Sequence, residues 1–266
     1  MVRVAEIKDI LQWYIESGVD ETAGNSPLSR FAASSPTRAA KPNKKPEKKT
    51  SLNRRPTPPL LQSRDAAVET AQEAAKQAST LEELHHAFKA FDGCPLKETA
   101  INFVFADGPS SARLMFIGEA PGGEEDRQGI PFVGPAGKLL EKMLAAISIA
   151  RPDVYITNLL PWRPPGNRTP TNTEIAACLP FLKRHIDLVK PDILILIGGT
   201  AAKTLLCREE GVMKLRGKWM TYERDNGDQI PARALLHPAF LLRQPAQKRE
   251  TWQDLMEVRV RLDAIS

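Results

Sequence analysis

Three clusters of polar residues follow short apolar runs, and their types could do chemistry together. The first reads Gly118-Glu119-Ala120-Pro121-Gly122-Gly123-Glu124-Glu125-Asp126, followed by Pro131-Phe132-Val133-Gly134. The second is Thr157-Asn158 and the third His237-Pro238. Glycines let a backbone approach a ligand closely. The carboxylates of Glu119, Glu125 and Asp126 add negative charge. A phosphate cradle would want a lysine at a helix start, so the first cluster is a poor nucleotide loop. Taken singly, Asn158 reads as a turn residue and His237 as a satisfied loop histidine. Placed at the strand ends of one sheet, the three clusters form a site.

The elements that must position them are legible from apolar patterning. Residues 113–118, 153–158, 192–198 and 232–236 are short apolar runs, three of them closing on Gly or Asn, as buried strands do. Helical stretches at 136–147, 173–189 and 200–206 separate them, and a last helix spans about 246–262. Strands alternating with helices predict an α/β fold of three layers, α/β/α, around a central, mostly parallel four-stranded sheet. In such sheets ligands bind beyond the carboxyl ends of the strands. Upstream, 66–76 and 81–88 are helical, the latter capped by Ser79 or Thr80. Cys207 falls on a helix and reads as core.

The first 65 residues have another character. Residues 1–18 hold an amphipathic helix at 4–17, with Val4, Ile7, Ile10, Leu11 and Ile15 on one stripe. Residues 19–65 read as a disordered, basic, Pro-rich linker, and 66–266 as the folded domain. Ten basic residues and a single acid, Glu47, lie between Arg30 and Arg64, giving that segment +9. The whole chain is +5, which leaves −4 for the remainder. A basic arm beside an acidic body suggests a polyanion held by counterion release; a solubilising linker is the plainer reading. There is no long apolar run and no signal-peptide pattern, so a cytoplasmic protein without membrane contact is expected. Three cysteines make no disulfide framework.

The order GEAPG, PFVG, TN, RPPGNR, HPA resembles the iron–sulfur class, the fourth family, of uracil-DNA glycosylases, over roughly residues 91–262. The resemblance implies base-excision repair: a uracil is flipped out of DNA and its N-glycosidic bond is hydrolysed. It implies that Phe132 stacks on the base, that Asn158 reads the uracil edge, and that His237 stabilises the charge growing on O2. Glu119 matches the position nearest the sugar and the attacking water, with Glu125 and Asp126 as further candidates. Gly118 and Ala120 belong to the same base-binding loop. For DNA it implies backbone contacts from Arg163, Asn167, Arg168 and Arg243, with Leu241 or Leu242 as a wedge or as core. The expected partner is single- or double-stranded DNA containing uracil, bound by a monomer.

The family holds a [4Fe–4S] cluster with four cysteines. Here Cys94 and Cys178 match two of those positions, while Phe91 and Trp162 stand at the other two. Two thiolates make a stable cubane implausible, so no cofactor is expected and an aromatic plug takes its place. A rebuilt zinc site using His85 or His86 is the alternative. A non-catalytic binder of uracil-containing or damaged DNA is the competing function. A relative that bonds covalently to the abasic site is disfavoured, because residues 163–170 form a short loop without histidine.

Overall fold

The computed structural model describes residues 64–265. The expected helix at 4–17 lies outside them, as does nearly all of the expected linker; its last two residues instead open the first helix, α1 (Arg64–Gln77). That helix buries small residues, Ala67, Ala71 and Ala75, which permit close packing. α2 (Leu81–Ala90) begins at a capping box in which Thr80, not Ser79, caps: its side chain accepts from the Glu83 amide, and Glu83 reaches back. β1 (Ala106–Asp107) and β2 (Leu114–Gly118) follow. Next come α3 (Gly123–Gln128), α4 (Pro135–Ala146) and β3 (Val154–Asn158). α5 (Asn172–Val189) has a second capping box, between Thr171 and Glu174. The chain then runs through β4 (Ile193–Ile197), α6 (Gly199–Leu206), α7 (Val212–Leu215), β5 (Trp219–Glu223) and β6 (Gln229–Leu235). α8 (Pro238–Arg243) and α9 (Lys248–Ile265) complete it.

The sheet has six strands in the order β1-β3-β2-β4-β6-β5, not four. The four expected strands are its parallel centre, and β1 and β5 add antiparallel edges. The edges carry no apolar run. β1 is two half-buried residues, and β5 buries only Tyr222. By contrast β2, β3 and β4 are buried at every position. Alternation along β2 sends Met115 and Ile117 into a core with α1, α2, α5 and α6. Leu114 and Phe116 face the other way, into a core with α4 and α9. The three layers are therefore present.

Two polar anchors fix the periphery. Asp254 of α9 is fully buried and accepts from Arg233 on β6 and from Arg216. Arg151 donates to Asp107 and to the carbonyls of Pro131 and Phe132. Cys207 is a correction: it is exposed and caps α6 in the left-handed conformation, at φ 51°. Among the described residues, no helix is long and apolar enough to cross a membrane.

Candidate active site

The carboxyl ends of β2, β3, β4 and β6 open onto one cavity of about 460 Å³, a size suited to a small ligand. Glu119, Ala120, Glu125, Phe132, Asn158 and His237 line it, with Asn167, Arg168 and Arg243. Gly118 and Asn158 are directly paired across β2 and β3. A Cβ on Gly118 would lie 2.4 Å from Asn158 Oδ1 and 2.7 Å from the Phe132 ring, so only glycine lets these two groups converge. Asn158 is 6% exposed, and its Oδ1 is buried without a hydrogen-bond partner. An orphaned buried acceptor normally costs about 1–3 kcal/mol, which makes it a mark of something the empty site lacks.

Phe132 is also held against its preference. Its φ of 53° lies in the left-handed region, where a bulky residue is strained. Three contacts hold it there. Arg151 binds the carbonyls of Pro131 and Phe132 at 2.7 and 2.8 Å. The Glu125 carboxylate accepts from the amides of Val133 and Gly134 at 3.0 and 2.8 Å. The bare Gly137 of α4 passes against the Phe132 carbonyl, where a Cβ would meet it at 1.8 Å. The Phe132 ring lies 5.9 Å from the His237 ring, inclined at 27°.

His237 is the N-cap of α8. Its Nδ1 accepts from the Ala239 amide at 3.1 Å, so in the neutral ring the proton belongs to Nε2, which makes Nε2 a donor. Burial, with a smaller push from Arg243 and against the pull of Glu125, lowers its pKa to about 4. His237 is therefore a neutral donor at physiological pH. Glu119 accepts a 2.5 Å bond on Oε2 from Thr200.

Glu125 and Asp126 are neither solvated nor equivalent. Glu125 braces the Phe132 loop from the cavity wall. Asp126, 2% exposed, accepts from the amides of Ile101 and Asn102 and lies behind the wall rather than on it. Arg163 does not line the cavity either; it donates to Asn167 at 2.8 Å and stands beside Asp126. Arg168 makes a two-pronged pair with Glu174, at 2.9 and 2.6 Å, which fixes it at the rim. Leu241 is buried, whereas Leu242 is exposed.

Gly198, Gly199 and Thr200 were missed in the sequence reading, as was Arg151. The first three follow β4 just as Glu119 follows β2. An apolar strand closing on Gly-Gly-Thr was the available signal. Arg151 had none, since its partners lie 10 to 44 residues away.

Behind the site, Phe91, Cys94, Trp162 and Cys178 are all buried in one core with Phe88 and Phe181. Phe88 stacks on Phe181 at 4.2 Å, and Trp162 meets Phe88 edge-on at 5.4 Å. The thiols of Cys94 and Cys178 are hydrogen-bonded to each other. That bond holds Cys94 below the usual thiol range, while burial pushes Cys178 well above it. Among the described residues no group of three or more His, Cys, Asp or Glu side chains is placed to hold a metal ion.

Comparison with known proteins bears on this geometry. The profile of the uracil DNA glycosylase superfamily matches residues 105–256. A type-4 uracil-DNA glycosylase from Pyrobaculum aerophilum is 41% identical over 180 residues, covering 66% of this chain and 91% of its own length. Its counterpart from Archaeoglobus fulgidus is 38% identical, covering 62% and 84%. That from Saccharolobus solfataricus is 40% identical, covering 64% and 81%.

Proposed function

Because the chain belongs to the uracil DNA glycosylase superfamily, we propose that it hydrolyses the N-glycosidic bond of uracil in DNA, opening base-excision repair. The observation that carries this reading is the orphaned Oδ1 of Asn158, buried between Gly118 and the Phe132 ring. Uracil presents an N3–H donor beside its O4 acceptor. The Asn158 amide can accept from the first and donate to the second. Cytosine presents the opposite pair and would leave both amide groups unmatched. Phe132 stacks on the flipped base.

The chemistry follows from the same walls. The C1′–N1 bond breaks, the base departs as an N1 anion, and water adds to C1′ and gives up a proton. Charge on the anion spreads to O2, where the Nε2–H of His237 meets it. A neutral donor suits this task, because it stabilises the anion without itself needing to be protonated. The Glu119 carboxylate receives the water and offsets positive charge on the sugar. Glu125 shapes the wall under the base, and Asp126 holds the loop behind it. Asn167, Arg168 and Arg243 at the rim, with Arg163 behind them, meet backbone phosphates of single- or double-stranded DNA. Leu242, exposed on α8 beside Arg243, is the wedge. The protein acts as a monomer.

We also propose that the chain carries no [4Fe–4S] cluster. The residues present do not fit one. A cubane needs four protein ligands, and the region around Cys94 offers two thiols bonded to each other and two buried aromatic side chains, Phe91 and Trp162. Burying each ring contributes roughly 1.5–3 kcal/mol, so packing takes over the staple.

The test uses purified full-length protein and oligonucleotides carrying one uracil, single- and double-stranded. Alkali-labile abasic sites are expected in both. Tight binding without cleavage would instead identify a non-catalytic binder. Stoichiometric iron with visible absorbance in the same preparation would overturn the packed-plug reading.

A further inference from the structure

Thr200 stands in the first turn of α6, immediately beyond the end of β4. Its Oγ1 donates to Oε2 of Glu119 at 2.5 Å, across 81 residues of sequence. Two other threonines at helix starts behave differently. Thr80 and Thr171 accept from amides of their own helices. Thr200 gives its helix no such cap, and α6 begins on Gly198 without any side-chain cap. A hydroxyl has one proton to donate, and here it goes to a carboxylate on the cavity wall. A hydrogen bond to an ionised acceptor is about twice as strong as a neutral one.

Glu119 needs such a hold. It follows a strand end, its side chain has three rotatable bonds, and it is only half-buried. Left alone, it would sample several rotamers. We infer that Thr200 is the positioning residue for Glu119: it fixes Oε2 and leaves Oε1 as the oxygen that receives the attacking water. The Gly198-Gly199 pair supports this placement. Gly198 adopts φ 91°, and that turn sets the first residues of α6 at the cavity rather than behind it. The assignment rests on the glycosylase reading of the pocket.

The test measures single-turnover uracil excision, affinity for uracil DNA and Tm for wild type, Thr200→Val, Thr200→Ser, Glu119→Gln and the double variant Glu119→Gln/Thr200→Val. Valine keeps the shape and removes the proton; serine keeps the proton. The expected result is that Thr200→Val slows excision by roughly ten- to a hundredfold. Affinity stays unchanged, and Thr200→Ser stays close to wild type. In the Glu119→Gln background the valine should add no more than about a twofold loss, because the pair acts as a unit. A role confined to packing would give the same loss in both backgrounds, and that outcome overturns the assignment. So does a Thr200→Val enzyme as fast as wild type, or a Thr200→Ser enzyme as slow as Thr200→Val. If wild type itself releases no uracil, the glycosylase reading fails and this assignment fails with it.

Discussion

At the scale of single residues, the site trades stability for recognition. Asn158 carries an unpaired acceptor in the buried wall. Asn158→Ala should therefore lower excision roughly a hundredfold or more, by analogy with loss of one preorganised polar group. It should not lower Tm, and relief of the orphan should raise it slightly. Rates and thermal melts of the two proteins check both halves. His237 makes a second prediction. Its folded pKa, about 4, lies below the ordinary 6.5, so the fold keeps the ring neutral where the unfolded chain would protonate it. His185, buried and bonded to the Tyr155 hydroxyl, is lowered further, to about 3. For both rings the stabilisation is complete above 6.5 and is lost as pH falls through the folded values. NMR titration should place the His237 midpoint near 4, and Tm should decline steadily between 6.5 and 4. A level Tm across that window would contradict the assignment. Which residues converge was largely legible in sequence, because strand ends attract polar residues for a reason. Which carboxylate faces the cavity was not. Glu125 and Asp126 are neighbours on a short helix, and only the positions of the Val133, Ile101 and Asn102 amides tell them apart.

At the scale of elements, the parallel strands were readable because each is an unbroken apolar run, while β1 and β5 were not. Edge strands bury one face at most, so their pattern dissolves into the surrounding loops. The left-handed turn at Phe132 was equally hidden, since no glycine or asparagine marks it. The aromatic cluster behind the site makes its own prediction. Trp162 is 3% exposed and packs edge-on to Phe88. Trp162→Ala should cost about 3–5 kcal/mol, read as a fall in the urea midpoint. Excision measured well below the new midpoint should survive, because the cluster lies behind the strand ends and not among them.

At the scale of the whole molecule, charge is divided by position along the chain. The segment from Arg30 to Arg64 holds +9 of a chain whose net charge is only +5. Deleting residues 1–63 should weaken DNA binding and flatten its dependence on salt, with the single-turnover rate little changed. An unchanged slope of affinity against salt concentration would show that the arm does not touch phosphate. Charge along the chain is visible in sequence because it needs no fold. The site itself needs all of it, since Glu119 and Thr200 meet across 81 residues.

The unpaired oxygen of Asn158 also governs what happens after the bond is cut. The freed base still has its N3–H and O4, so the amide that selected it continues to hold it. The catalytic cycle thus contains a pause in which a spent base occupies the socket, and the enzyme is inhibited by its own product. Added free uracil should slow excision competitively. Cytosine at equal concentration, with its edge reversed, should leave the rate untouched.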